Sequence, residues 1–183
     1  MDRWWFLTWR TYGTWLPGDE GFVGYYRIPV GPRRIDHAVG EVASEAIPAL
    51  AKYAREQLVV EPVSLTVSQA TLILAQLQET ATHRGWALDA VAVLTTHVHL
   101  VFGVNGDPTP TALLRDFKSY CSRALNAAQS DRKQAKWWAE RGSTRFLKDR
   151  DHRARAIRYT RDQENPFLVW LSDEVRHLVE PPA

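Results

Sequence analysis

The chain has 183 residues, 23 Lys+Arg against 21 Asp+Glu, and a formal net charge of +2. At 45% hydrophobic and 24% charged residues it carries enough apolar surface for a packed core, which excludes a disordered chain. The single cysteine, Cys121, excludes a disulfide framework and a Cys-based zinc cluster, and no apolar run approaches the roughly 20 residues of a membrane span.

The first element is predicted at Trp4–Tyr12, a strand dense in aromatic and β-favouring residues. Gly13 to Arg34 is rich in Gly and Pro and reads as a long loop with a short hairpin around Gly24. Glu41–Leu58 has helical spacing, with Pro48 near its first turns. Ser68–Arg84 is a clearer helix, stopped by Gly85. Two strands follow, Trp86–Thr95 and His97–Val104. Thr109 then caps a helix that has Pro110 at its first position and runs to about Ala128. Its apolar face is Leu113, Leu114, Phe117, Tyr120, Cys121, Ala124 and Leu125. After an irregular stretch from Lys136, Ser143–Leu147 reads as a short strand. Asp149 or Asp151 caps a final helix through Gln163, and Asn165-Pro166 breaks the chain away from it. This order predicts an α+β fold, an antiparallel sheet with helices packed on it.

The near-neutral total conceals a strong asymmetry. Pro110–Arg161 holds fourteen Lys or Arg against five Asp or Glu, a net +9, and the remainder of the chain is −7. Ten of the fourteen cations are Arg, which suits planar phosphate recognition and points to nucleic acid.

In a strand, His97 and His99 face one way while Val98, Leu100 and Phe102 face the core. Two neutral imidazoles on one rigid face suit a divalent metal ion. The alternative is two half-exposed strand histidines without a ligand. Two tyrosines are candidate nucleophiles. Tyr120 falls in the apolar stripe of its helix, whereas Tyr159 projects from an Arg-rich face with Arg155, Arg158 and Arg161 nearby and Gln163 one turn on. A phenol with a pKa near 10 needs such cations, or a metal-polarised target, to act at neutral pH. The Gln163 side-chain oxygen offers a harder third ligand, a mixed set that suits Mn²⁺ and tolerates Mg²⁺. Lys118 and Ser122, one turn apart and off the apolar stripe, could meet a phosphate, as could Arg115 in the same basic segment.

These motifs together resemble the single-tyrosine HUH transposases, the insertion-sequence and REP-associated tyrosine transposases. His97-Val98-His99 matches the HUH pattern, and Tyr159 with Gln163 matches the Tyr helix. Phe117-Lys118 with Ser122, Trp137 or Trp138 followed by Arg145-Phe146-Leu147, Asn165-Pro166 and Gly13-Thr14-Trp15 echo further motifs of the family. The resemblance implies a ferredoxin-like HUH endonuclease fold over 1–183, with an N-terminal loop and helix elaboration at about 13–60. It implies a homodimer acting on single-stranded or hairpin DNA through a 5′-phosphotyrosine intermediate. The expected cofactor is Mg²⁺ or Mn²⁺ and the expected location is cytoplasmic. Two other readings stand beside it: a non-cleaving DNA-binding protein on the same fold, and an unrelated His-x-His metallohydrolase.

Overall fold

In a computed structural model the protein is described over residues 1–22, 24–28, 31–35, 45–129 and 136–179. Its backbone forms two compact units, one from Met1–Thr11 with Ser64–Ala183, the other from Tyr12–Val63.

The larger unit opens with β1 (Arg3–Thr11), where burial alternates residue by residue. Trp5, Leu7, Trp9 and Thr11 are buried on one face, and the intervening residues are half-buried on the other. In the smaller unit, β2 (Gly24–Ile28) and β3 (Gly31–Ile35) form the expected hairpin. The helix α1 (Pro48–Glu56) starts later than Glu41; residues 41–44 lie outside the described residues, and 45–47 are irregular. Pro48 occupies the first turn, where a missing N–H and a fixed φ cost nothing. Asp19 accepts from the Leu16 amide at 2.6 Å and from Arg55 at 3.3 Å.

The chain returns to the larger unit through α2 (Val67–Arg84). Thr66 and Gln69 form a reciprocal capping box at its start, and Gly85 ends it at φ 65°, a conformation that favours glycine. Next come β4 (Ala87–Val93), β5 (His97–Val104) and α3 (Pro110–Ala127), capped by Thr109. The strand β6 (Trp138–Leu147) is twice the length of the predicted Ser143–Leu147. Its polar run Glu140-Arg141-Gly142-Ser143 hid it, because an edge strand need not alternate. Asp149 caps α4 (Arg150–Arg161), accepting from the His152 amide at 2.8 Å. The last elements, β7 (Leu168–Leu171) and α5 (Asp173–Arg176), were not anticipated. Four residues apiece is too short for any periodicity to register.

The five strands form one antiparallel sheet in the order β6-β1-β5-β4-β7. The fold is therefore α+β, a five-stranded antiparallel sheet with helices packed on it. α2 and α3 cover one face. There Phe102 meets Phe117 edge-on, with ring centroids 5.0 Å apart, and Trp86 touches both. α4 covers part of the opposite face through a second core of Ala90, Val101, Leu147, Ala156, Ile157, Val175 and Val179. No helix among the described residues is long and apolar enough to cross a membrane.

Candidate functional site

β5 is a central strand, and from Val98 onward every residue in it is buried. Val98, Leu100 and Phe102 point into the α2–α3 core at 0% exposure. His97 and His99 therefore share the other face, as strand alternation requires. Their rings lie edge-on with centroids only 4.9 Å apart, closer than the two-residue repeat of about 7 Å, so the imidazoles converge.

The long-range pairing of β1 with β5 supplies what surrounds them. Thr8 lies directly opposite His99, and its hydroxyl meets His99 Nδ1 at 2.8 Å. Thr96, in the turn before β5, meets His97 Nδ1 at 3.1 Å. When Nδ1–H donates to the hydroxyl, Nε2 turns a lone pair outward, the arrangement typical of a metal-ligating histidine. His99 Nε2 is buried and makes no hydrogen bond. A buried polar atom left unpaired is rare enough to need a cause.

Burial is also the main reason both imidazoles are weak bases. It lowers His97 from 6.5 to about 4 and His99 from 6.5 to about 3. The Arg10 guanidinium adds to both shifts, and the neighbouring His97 adds to that of His99. The Gln163 side chain, close to both rings, opposes them. Both rings are thus neutral at physiological pH. Values this low make them poor general bases and good ligands.

Tyr159 comes to the same place from α4. Its ring stands edge-on to His99, with centroids 5.4 Å apart, and edge-on to Phe6 at 5.7 Å. Phe6 in turn stacks on His99 at 5.6 Å. The tyrosine remains 55% exposed, so a substrate can reach it. Gln163 lies just past the helix end, where its amide nitrogen donates to the Tyr159 carbonyl at 2.8 Å. One chain therefore brings His97, His99, Gln163 and Tyr159 together. Two imidazole nitrogens and an amide oxygen fit a six-coordinate divalent ion that keeps open positions for substrate. Among the described residues no group of three or more His, Cys, Asp or Glu could hold a metal.

α4 is fixed on the sheet by a buried ion pair. Arg153 Nε and Nη2 each donate to an Asp89 carboxylate oxygen at 2.7 Å, and the guanidinium lies 4.4 Å from the Trp4 ring centre. Asp89 sits at a bulge in β4 with its side chain 2% exposed. Desolvation raises its pKa despite Arg153.

The predicted DNA contacts divide. Arg115 and Arg155 are exposed and point outward. Lys118 does not: its ammonium donates to Ala139 O at 2.6 Å and Glu140 O at 3.2 Å, and burial lowers its pKa from 10.5 to about 8. Ser122 donates to Lys118 O within its own helix at 2.8 Å. Lys118 ties α3 to β6, because the start of an edge strand leaves carbonyls that need donors. Arg158 and Arg161 also bond inward, to Leu178 O and Val179 O. Tyr120 is half-buried with the Arg123 guanidinium 5.1 Å from its ring centre, on the helix layer opposite the histidines. The sequence did not single out Phe6, Thr8, Thr96, Arg10, Asp89 or Arg153 for this site. It also did not show that Arg145, directly opposite Phe6 in β6, shares this face and is exposed.

No protein-family model matches the chain, and no curated protein matches it. Among solved structures it is similar to a REP-associated tyrosine transposase bound to a REP hairpin. That match is 12% identical and covers 86% of this chain and 64% of that one, with a TM-score of 0.49. It is also similar to a candidate transposase from Deinococcus radiodurans R1, 15% identical, covering 90% of this chain and 94% of that one, with a TM-score of 0.45. The chain thus spans 64% of the length of the hairpin-bound transposase.

Proposed function

We propose that the protein is a metal-dependent single-stranded DNA endonuclease and strand transferase of transposase type. Tyr159 is its nucleophile, and His97, His99 and Gln163 hold Mg²⁺ or Mn²⁺. One observation carries this reading: the Tyr159 ring lies against His99 within a single chain, where His99 Nε2 is buried and unbonded. When bound, the ion supplies Lewis-acid polarisation of a non-bridging phosphoryl oxygen.

The chain's own residues do the rest. Tyr159 Oη forms a bond to phosphorus while the bond from phosphorus to the 3′ oxygen breaks. The phenolic proton passes to solvent, which the exposed ring allows, and the departing 3′ oxygen takes up a proton. A 5′-phosphotyrosine ester remains. It retains a phosphodiester's energy, so a free 3′-hydroxyl can attack it and join strands by the reverse route. Arg115, Arg145 and Arg155 present outward charge to the DNA backbone, which is proposed to be single-stranded beside a hairpin. A homodimer fits the proposal, with each protomer carrying a complete site.

The test is a covalent adduct. The full chain is incubated with end-labelled single-stranded oligonucleotides and Mn²⁺ or Mg²⁺, and the products are resolved under denaturing conditions. Wild type forms an adduct and Tyr159→Phe does not. An adduct that survives Tyr159→Phe but is lost in Tyr120→Phe overturns the assignment. DNA binding without an adduct under either metal assigns the chain to a non-cleaving role. Hydrolysis of small esters that ignores Tyr159→Phe assigns it to an unrelated metallohydrolase.

A further inference from the structure

A cleft opens on the sheet face that carries Tyr159, and the chemistry above does not use it. On that face β1 presents Trp4, Phe6 and Thr8, and β6 presents Leu147, Arg145 and Ser143 directly opposite them. Phe6 touches both His99 and Tyr159. Two residues along each strand, about 7 Å away, Trp4 and Leu147 border a cleft of about 430 Å³. One extended nucleotide covers a step of that size.

Trp4, Leu147, Val175 and Leu178 give the cleft apolar walls, and the planar Arg153 guanidinium lies 4.4 Å from the Trp4 ring centre. Its charged lining is mixed: Asp2, Asp149 and Glu174 against Lys148, Arg150 and Arg153. Such a lining does not select an anion. A nucleobase fits it, because its faces are flat and its edge carries both donors and acceptors. The cation for a phosphate stands between the cleft and Tyr159. Arg145 is exposed opposite Phe6, and its guanidinium bonds to none of the described residues. The planar fork of Arg matches two oxygens of a phosphate.

We propose that this cleft is a nucleotide subsite next to the scissile phosphate. A base enters the cleft beside Trp4, and Arg145 holds the phosphate attached to that nucleotide. That the nucleotide belongs to a DNA strand rests on the proposed reaction; its binding here requires neither Tyr159 nor a metal.

A chemical-shift titration of the full chain tests this without added metal. The probes are the four deoxynucleosides as 5′- and as 3′-monophosphates, the unphosphorylated nucleosides, and inorganic phosphate, all at matched ionic strength. The Trp4 indole N–H signal is identified by its loss in Trp4→Phe. In wild type at least one nucleotide shifts that signal and the Leu147 and Leu178 amides saturably, in the millimolar range of about −4 kcal/mol. The matching nucleoside binds at least about fivefold more weakly, and inorganic phosphate leaves the Trp4 signal in place. Arg145→Ala lowers the nucleotide's affinity at least about fivefold and leaves the nucleoside's unchanged. Arg145→Gln does the same and keeps the length of the side chain. Circular dichroism and thermal melting establish that each variant is folded.

No saturable shift at Trp4 with any nucleotide overturns the proposal. So does a nucleoside that binds as tightly as its nucleotide, inorganic phosphate that moves the Trp4 signal equally, or an affinity that both Arg145 variants leave intact. The adduct assay separates the two ideas. Nucleotide binding at the cleft without an adduct removes the nucleophile reading and leaves the subsite in place. An adduct without nucleotide binding removes the subsite alone.

Discussion

At the scale of single residues, the decisive feature is how two threonines orient two histidines. Thr8 and Thr96 occupy both Nδ1 atoms, which leaves Nε2 of each ring for other use. Thr8→Val keeps the volume and removes the hydroxyl. It is expected to weaken Mn²⁺ binding about 10- to 100-fold, measurable by titration, because such partners fix ring orientation. Burial also sets a pH signature. Folded His97 and His99 take up protons only near 4 and 3, whereas in the unfolded chain they do so near 6.5. Between those values the unfolded chain binds more protons, so stability falls as pH drops from 6.5 toward 4. Thermal melts across that range are expected to show the fall, and His99→Gln to reduce its slope. Mn²⁺ affinity is expected to hold from pH 8 to about 5 and to fail below it, since protons compete only near the folded values. A flat melting profile across the same range would contradict the burial argument.

At the scale of elements, α4 matters most because it carries Tyr159 to the sheet. The bidentate Asp89–Arg153 pair anchors it, and breaking a buried pair from one side costs about 3–5 kcal/mol. Arg153→Ala is therefore expected to lower the denaturant midpoint strongly and to slow adduct formation together with it. Lys118 does similar work between α3 and β6. Lys118→Ala leaves carbonyls of β6 without a donor and is expected to cost about 1–3 kcal/mol of stability. It should leave the salt dependence of oligonucleotide binding unchanged, whereas Arg155→Ala should reduce that slope by about one. The opposite pattern, a stable Lys118→Ala with a reduced slope, would return Lys118 to the DNA surface. Much of this scale was legible beforehand. The cap at Thr109, a cap at Asp149 or Asp151, the stop at Gly85 and the faces of β5 follow from local chemistry. The first half of β6 and all of β7 were not legible, because an exposed edge and a four-residue strand carry no periodic signal.

At the scale of the whole molecule, nucleophile and candidate ligands arise from one chain. Mixing Tyr159→Phe with His99→Ala is therefore expected to restore no adduct, since neither copy has both halves of a site. Recovery of activity in the mixture would mean that tyrosine and histidines meet across two chains. The charge asymmetry also changes meaning at this scale. The basic segment from Pro110 to Arg161 includes cations spent on the fold itself, Lys118, Arg153, Arg158 and Arg161 among them. The outward cations near the site are fewer, and one of them, Arg145, reaches the histidine face only through sheet pairing.

The sequence by itself determined the α+β class, the shared face of His97 and His99, and the one-turn spacing of Tyr159 and Gln163. Each is a consequence of two-residue or 3.6-residue periodicity, which is local. Only the tertiary structure decided that Thr8 bonds His99, that Arg10 faces His97, and that Lys118 turns inward. Those facts depend on the register of β1 against β5 and on the packing of α3 against β6. Register joins residues some ninety positions apart, and a one-residue slip of β1 would send Thr8 and Arg10 to the opposite face.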